Sequence, residues 1–506
     1  MKKTALIIIL ITLFSKLLGF VRDIGLSYFY GASSISDAYI ISTTIPLTIF
    51  GFLGIAISTG YIPMYSKIRE EHGEIESIRY TNNLTNIYLV LSTFILVLGI
   101  LFAKPIVSVF ASGLRGESLI LAVKFTKIGM ISIYFTGMVY IFNSFLQIKG
   151  NYVVPALVGF PLNILVIISI YLSSNGDVLL LSIGTVVATA SQLLLILPFV
   201  YKEGYKYRVE FDIKDKHIKS MAYIAFPAMI GVSVNQINTL VDTTLASQIV
   251  TGGISVISYA NRFIGSLESI FAITIATIMF PLMSKMVAEK NKDGIKKSLS
   301  DAIGAINLLV IPISIGIMVF SEPIVRLLFG RGAFDSQAII LTSNVIFYYS
   351  IGMTATGIRE VLSRTFYSMQ DTKTPTINAA IALVMNIVLN IILSRFMGIS
   401  GLALATSISA IFCVVLLFIS LRKKIEIFSI GKVCISLLKI LAASLFMGYL
   451  AKLLYDLLVN YINEIMSLII SVGVGALIYL VIIYFMKIED VDNIMNVLKK
   501  RIKKVN

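Results

Sequence analysis

The sequence predicts an all-α polytopic membrane protein with about fourteen transmembrane helices, arranged as two parallel six-helix lobes around a central cavity plus two extra C-terminal helices. Three observations carry this expectation. Of the 506 residues, 57% are apolar and mean hydropathy is +0.91, above the roughly 45–50% apolar share of soluble domains. Apolar runs of about 20 residues, the length that spans a bilayer core, recur from end to end. They are continuous rather than alternating, which argues against a closed β-barrel. Finally, the loops between the runs alternate between strongly basic and nearly uncharged.

In chain order the runs fall at approximately 4–29, 36–65, 82–110, 119–146, 153–173, 178–201, 218–250, 254–284, 299–321, 336–367, 376–396, 398–421, 430–455 and 465–486. The first follows Lys2-Lys3, an arrangement that also opens a signal peptide. No small-residue cleavage site is evident, and the alternation of the later loops needs an uncleaved first helix. Lys67, Arg69 and Arg79 separate the second run from the third, and Lys149 the fourth from the fifth. The 202–219 loop follows the sixth run and the Lys285–Lys297 loop the eighth. Lys373 follows the tenth, Arg422 to Lys424 the twelfth, and a basic tail the fourteenth. That side holds roughly 28 Lys and Arg, against about five (Lys104, Arg115, Arg326, Arg331 and Arg395) on the other, so the positive-inside rule places both termini in the cytosol. The alternation supports an even span count independently of hydropathy. The net charge of +15 resides mostly in these short loops, so no nucleic-acid partner is expected.

Two cytosolic segments have patterns of their own. From Tyr205 to Lys214 the chain alternates strictly, with Tyr205, Tyr207, Val209, Phe211 and Ile213 apolar. A period of two predicts a short extended piece at the membrane surface, within the linker between two halves. From Ile488 to Lys504 apolar residues recur at helical spacing among five Lys and Arg, which suits an interfacial helix on anionic lipid. Cys413 and Cys434 lie in or beside apolar segments without metal-ligand spacing. His72 and His217 fall in polar loops, which argues against a His-based metal site.

The chain contains an internal repeat. Tyr61-Ile-Pro-Met-Tyr-Ser-Lys-Ile68 resembles Met279-Phe-Pro-Leu-Met-Ser-Lys-Met286, and Phe102-Ala-Lys-Pro-Ile-Val107 resembles Phe320-Ser-Glu-Pro-Ile-Val325. Both pairs are offset by about 218 residues, and Pro155 with Leu162-Asn163-Ile164 echoes Pro375 with Met385-Asn386-Ile387 at nearly the same offset. Six spans per unit, an even number, give both units the same orientation. The expected organisation is a lobe at 1–201, a cytosolic linker at 202–217, a second lobe at 218–424, two further helices at 425–487 and the tail at 488–506. Parallel repeats of this kind build transporters with a substrate site between the lobes.

Charges at membrane depth narrow the substrate. An intramembrane cation costs at least ~2.5–3.5 kcal/mol on insertion scales, yet Lys16 and Arg22 share the first span. They lie about 9 Å apart along a helix and about 240° apart around it, and converge only if the helix bends, which Gly19 permits. Arg262 sits in the eighth span and Asp37 opens the second. The functional reading is a cationic cavity holding an anion; the competing account is a buried pairing network that includes Asp23. Lys124, Lys127 and Lys452 suit snorkelling or local pairing. Arg359, Glu360 and Arg364 form a candidate secondary cavity. Asp242, Asn386, Asn390 and Thr406 form a polar set with oxygen ligands suited to sodium, or equally to interhelical hydrogen bonds.

At these residues the chain resembles the MurJ/MviN lipid II flippase family of the multidrug/oligosaccharidyl-lipid/polysaccharide exporter superfamily. The likeness covers essentially the whole length. It rests on Ser15-Lys16-Leu-Leu-Gly19-Phe-Val-Arg22-Asp23, Ser36-Asp37-Ala38-Tyr39, Ser255 with Asn261-Arg262, Leu327-Leu-Phe-Gly-Arg-Gly-Ala-Phe-Asp335 and Phe366-Tyr-Ser-Met-Gln-Asp-Thr-Lys-Thr-Pro375. The resemblance implies a substrate-binding set of Lys16, Arg22, Asp37, Ser255 and Arg262, and an ion site at Asp242, Asn386, Asn390 and Thr406. It implies a non-enzymatic carrier of undecaprenyl-pyrophosphate-linked peptidoglycan precursor, acting as a monomer in the bacterial plasma membrane among its lipids. No cofactor is expected beyond the candidate sodium ion. The chain departs from the family in three places. Lys16 stands where Arg is usual, Asn390 where an acid is expected, and Phe50 where a further base would align, in a stretch from Pro46 to Gly60 without any charge. The rival readings are a flippase for another polyprenyl-linked oligosaccharide, a drug/cation antiporter, or a membrane glycosyltransferase. The last would need catalytic carboxylates on a large outer loop, and the outer loops here are short.

Overall fold

An apolar segment in a bilayer must satisfy its own backbone N–H and C=O groups, which a helix does internally. The computed structural model describes residues 2–289, 291–425 and 430–486, and among them every regular element is helical, seventeen in all. Nine of these helices are long and apolar enough to cross a membrane, or ten if one bent pair counts as a single span. The protein is therefore an all-α polytopic membrane protein. The 488–506 tail and the side chain of Cys434 lie outside the described residues.

Helix α1 (Lys2–Tyr30) ends at Gly31, whose φ of +60° admits a close approach to the Ala333 carbonyl. A capping box starts α2 (Ser34–Leu101): the Ser36 N–H donates to Ser33 Oγ and the Ser33 N–H to Ser36 Oγ. At 68 residues α2 would extend about 100 Å if straight, more than three times the hydrocarbon thickness. It breaks at Gly73 (φ 84°, ψ 177°) and folds back on itself. Tyr61 and Tyr80, on opposite sides of the break, stack with ring centroids 5.8 Å apart, and the Tyr61 and Thr81 hydroxyls are 2.8 Å apart. The second and third predicted spans are thus the two arms of one hairpin.

Short helices follow where proline intervenes. Proline lacks an N–H and clashes with the carbonyl one turn back. Pro105 breaks the chain at Phe102 (φ −102°, ψ 20°) before α3 (Ala103–Phe110). The fourth predicted span is two helices, α4 (Gly116–Gly129) and α5 (Ser132–Ile148), bent by 42°. Next come α6 (Val153–Leu157), α7 (Gly159–Ser174), α8 (Leu180–Lys202), α9 (Lys216–Ile249), α10 (Gly253–Ala288) and α11 (Lys292–Val319). Pro323 then repeats the earlier break, at Phe320 (φ −108°, ψ 20°), before α12 (Ser321–Leu328). The two sequence repeats at Phe102 and Phe320 thus share one local backbone geometry. The chain continues through α13 (Ser336–Ser368), α14 (Lys373–Met397), α15 (Ile399–Ile425), α16 (Ile430–Leu458) and α17 (Glu464–Phe485).

The chain forms two compact units. One comprises Met1–Ser258 with Arg331–Ala338, and the other Tyr259–Gly330 with the chain from Ile339 onward. The first unit has an aromatic core in which Tyr61, Tyr65, Phe142, Phe145 and Tyr205 are almost fully buried. Gly137 is required there: a Cβ would lie 1.8 Å from the Tyr88 ring. In the second unit α16 and α17 pack on α11 through Leu308, Ile311, Ile440, Met447 and Tyr479, and the Tyr479 hydroxyl donates to the Leu308 carbonyl at 2.8 Å.

The sequence motif around Gln370 makes the turn from α13 to α14. Gln370 adopts a positive φ of 59°, and Asp371 accepts from the Thr374 N–H (2.9 Å), the Thr374 hydroxyl (2.6 Å) and Lys424 at the end of α15. Burial pushes the Asp371 carboxyl up, but the bonds from Lys424 and Thr374 outweigh it and hold the group down at about 2.

Candidate functional site

In the first unit, α1 carries two of the predicted cations. Lys16 is exposed and Arg22 half-buried. α1 runs through Gly19 as one helix. The Arg22 guanidinium is oriented by two neighbours: Nη2 and Nε donate to Asp23 Oδ1 at 3.0 and 3.2 Å, and Nη1 donates to Asn163 Oδ1 at 3.2 Å. Asn163 is itself fixed. Its Nδ2 donates to the Gly159 carbonyl of its own helix at 2.8 Å and to the Ser15 carbonyl of α1 at 3.2 Å. Its amide lies against Gly19. A guanidinium has five N–H donors, and three are engaged in these bonds. The fork is therefore positioned while keeping donors for an incoming anion.

Asn163 is absent from the predicted site set. The signal was present, because Asn163 and Asn386 mark the same repeat position, but a repeat match does not say what a side chain touches. Asp23, predicted as a partner in the Lys16 network, is ion-paired with Arg22.

Asp37 and Ser255 are brought together. Asp37 is 1% exposed and Ser255 0%. The carboxylate accepts from the Gly252 N–H (2.8 Å), the Ser255 N–H (2.8 Å) and the Ser255 hydroxyl (2.6 Å). The first turn of a helix has N–H groups without intrahelical partners. Asp37, in the first turn of α2, supplies an acceptor to the start of α10, so a carboxylate from another helix caps it. The Ser36 hydroxyl, 2.8 Å from that of Ser255, extends the set.

Phe50, where the family resemblance would align a base, is 2% exposed. Its ring meets Tyr140 at 5.2 Å and Tyr88 at 6.2 Å. Here that position belongs to the aromatic core.

In the second unit, Arg262 lies half-buried on α10, with its carbonyl accepting from Ser266 at 2.7 Å. The residues of the candidate secondary cavity pair locally: Arg364 Nε donates to Glu360 at 2.9 Å, one turn earlier on α13. Arg359 interacts electrostatically with an acid the sequence reading did not single out, Glu268 of α10. An acid at membrane depth is itself a functional signal, and Glu268 was legible on that ground.

The predicted sodium ligands divide between the units. Asp242 lies in the first, 7% exposed, with Asn238 Nδ2 donating to it at 3.4 Å. Asn386, Asn390 and Thr406 lie together in the second: Asn390 donates to Asn386 Oδ1 at 2.8 Å, and Asn386 donates to Thr406 Oγ1 at 3.3 Å. The first bond lies within α14, and the second joins α14 to α15. Among the described residues no group of three or more His, Cys, Asp or Glu is placed to hold a metal. His72 and His217 meet edge to face at 6.2 Å.

Comparison with known proteins gives a consistent result. The family model described as "Lipid II flippase MurJ" matches residues 26–473. The "Probable lipid II flippase MurJ" of Vibrio cholerae is 32% identical over 430 residues, covering 82% of each chain. That of Thermotoga maritima is 30% identical over 488 residues, covering 96% of each. The solved structure described as "Lipid II flippase MurJ, inward closed conformation" superposes with a TM-score of 0.82 at 30% identity, covering 95% of this chain and 98% of that one. An inward-facing multidrug transporter of the MATE family superposes with a TM-score of 0.71 at 15% identity over 83% of this chain, a likeness of fold alone.

Proposed function

The chain belongs to the lipid II flippase MurJ family, and from that premise we propose that it moves undecaprenyl-pyrophosphate-linked peptidoglycan precursor from the inner to the outer leaflet of the bacterial plasma membrane. It is a multi-pass transporter and not an enzyme. The proposal takes the full topology to be about fourteen spans in two six-helix lobes, 1–201 and 218–424, joined by the 202–217 linker and followed by the helix pair at 425–487. The substrate cavity lies between the lobes, and one chain suffices.

In this mechanism the pyrophosphate sits against Lys16, Arg22 and Arg262 through charge-assisted hydrogen bonds. The observation that carries the reading is the Arg22 fork, oriented by Asp23 and Asn163 with donors to spare. Lys16 contributes a point charge without a fork. Asp37 and Ser255 join the starts of α2 and α10, and releasing them is part of the alternation between the two sides. A headgroup of about −2 moving outward descends an inside-negative potential, gaining roughly 2.3 kcal/mol per charge per 100 mV. Return of the emptied cationic cavity is favoured by the same field. Potential alone then drives both half-cycles, and sodium at Asp242, Asn386, Asn390 and Thr406 is a supplement.

The test is rescue of cells depleted of their own lipid II flippase. The expected result is growth with the native chain, and loss of growth for Lys16→Ala, Arg22→Ala and Arg262→Ala at equal membrane abundance. Failure of the native chain to rescue would favour another polyprenyl-linked saccharide. Unimpaired rescue by all three variants would refute the cationic cavity.

A further inference from the structure

The chain between α8 and α9 is held rather than loose. From Lys206 to Asp212 it runs without helix along the start of the second arm of α2. Three buried asparagines of that arm grip its backbone. Asn82 donates to the Lys206 carbonyl (3.0 Å) and Asn86 to those of Arg208 (3.3 Å) and Glu210 (2.8 Å). Asn83 donates to the Asp212 carbonyl (3.0 Å) and accepts from the Asp212 N–H (2.7 Å). In an extended chain backbone groups and side chains each alternate with a period of two. The even-numbered peptide groups therefore face α2, and the segment is a strap of fixed register. Tyr205 plugs one end into the aromatic core at 2% exposure.

Of the odd-numbered side chains beyond Tyr205, Tyr207 turns its hydroxyl back to Asn86 Oδ1 at 2.7 Å, while Val209, Phe211 and Ile213 are apolar and stand out from the protein, 81%, 51% and 60% exposed. Between and beside them lie Lys202, Lys206, Arg208, Lys214, Lys216 and Lys219. The segment's acids are Glu203, Glu210, Asp212 and Asp215; Glu210 pairs with Arg79 (3.4 Å), Asp212 accepts from the Lys214 N–H, and Asp215 accepts from Asn83 and from the His217 N–H at the start of α9. Six bases against four acids leave the segment net basic. Because its clamps sit in the first turns of a membrane-crossing arm, the strap lies at headgroup depth, on the side the loop charges assign to the cytosol.

We infer that residues 207–213 are an interfacial anchor: Val209, Phe211 and Ile213 enter the cytosolic leaflet, and the Lys and Arg between and beside them bind anionic phospholipid headgroups. Apolar side chains beside basic ones are the combination that binds an anionic interface. The inference is independent of the substrate carried.

The chain contains no Trp, so Val209→Trp in the full-length protein is a single clean reporter, with Phe211→Trp as a second position in case one variant fails to fold. Each is reconstituted in phosphatidylcholine vesicles with and without phosphatidylglycerol. The comparison is Lys67→Trp, on the α2 hairpin. The expected result is blue-shifted emission, quenched severalfold more by bromine-labelled phospholipid than that of Lys67→Trp, and more strongly still with phosphatidylglycerol present. Emission and acrylamide quenching matching Lys67→Trp would overturn the proposal, because the strap would then face water. Protection from both quenchers would overturn it too, because protein would be covering the strap. Equal lipid quenching with and without phosphatidylglycerol would overturn the anionic preference.

Discussion

Replacing Asp37 by Asn exchanges one oxygen for an amino group at a site where three donors converge. The carboxylate accepts from the Gly252 N–H, the Ser255 N–H and the Ser255 hydroxyl at 2.8, 2.8 and 2.6 Å, all buried. An amide has one acceptor oxygen. Turned towards Ser255, it keeps two bonds and sets its NH2 against the Gly252 N–H. A buried donor left without an acceptor costs about 1–3 kcal/mol. The two retained bonds lose their charge assistance, which roughly halves them, a further cost of about 1.5–3 kcal/mol. Relief of a buried charge offsets part of this, so the expected loss is about 2–4 kcal/mol. Ser255→Ala removes the hydroxyl bond to Asp37, about 1.5–3 kcal/mol, together with the contact to the Ser36 hydroxyl. Because the two changes share one contact, the double variant should fall short of the sum by about 1–2 kcal/mol. The assay is unfolding of the full chain in detergent, with amide hydrogen exchange read at Gly252 and Ser255, whose N–H groups are the donors. Native stability and native protection at those amides in Asp37→Asn would refute the claim that this carboxylate caps α10.

Three further outcomes are expected. Asn163→Ala keeps every charge but removes the acceptor for Arg22 Nη1, a charged hydrogen bond of about 1.5–3 kcal/mol. It should lower lipid II flipping by about tenfold or more at normal abundance, and an unchanged rate would show that orientation of the fork is immaterial. Phe50→Arg, which restores the base aligned from the family, places a cation among the Tyr88 and Tyr140 rings. It should reduce the folded yield on size-exclusion by more than Phe50→Leu does, and a well-folded, faster transporter would show that the position faces the cavity. Asp371 is held at about 2, below its ordinary 3.8. A depressed carboxyl contributes stability above its unfolded value and loses it as pH falls through the folded one. The stability gap between native chain and Asp371→Asn should therefore be full at pH 7 and close between about pH 4 and pH 2. A gap independent of pH over that range would refute the pairing.

The site was legible to different depths. Lys16, Arg22 and Arg262 stand out because a cation in an apolar run is costly wherever the helix packs. Glu268 carries the same signal and was overlooked beside the cations. Asn163 was visible only as a repeat marker, since a neutral amide has no such cost and its role depends on which carbonyls and guanidinium surround it. The hairpin at Gly73 was foreseen as two spans and a loop, because Arg69, Glu70, Glu71 and His72 break the apolar run. The bend between α4 and α5 was missed, since no proline or charge marks Met130 and Ile131.

What the sequence determined by itself was set by solvation. Apolar runs of bilayer length, the side of the basic loops and the prolines that end helices each act through a residue's own cost of transfer or its own backbone. What only the tertiary structure decided was partnership: the cap that Asp37 provides to α10, the orientation of Arg22 by Asp23 and Asn163, the loss of Phe50 to an aromatic core, and the strap gripped by Asn82, Asn83 and Asn86. Hydrogen bonds and ring contacts act over a few ångströms between residues that here lie 218 positions apart and more, and nothing in the linear order of the chain fixes which of them will meet.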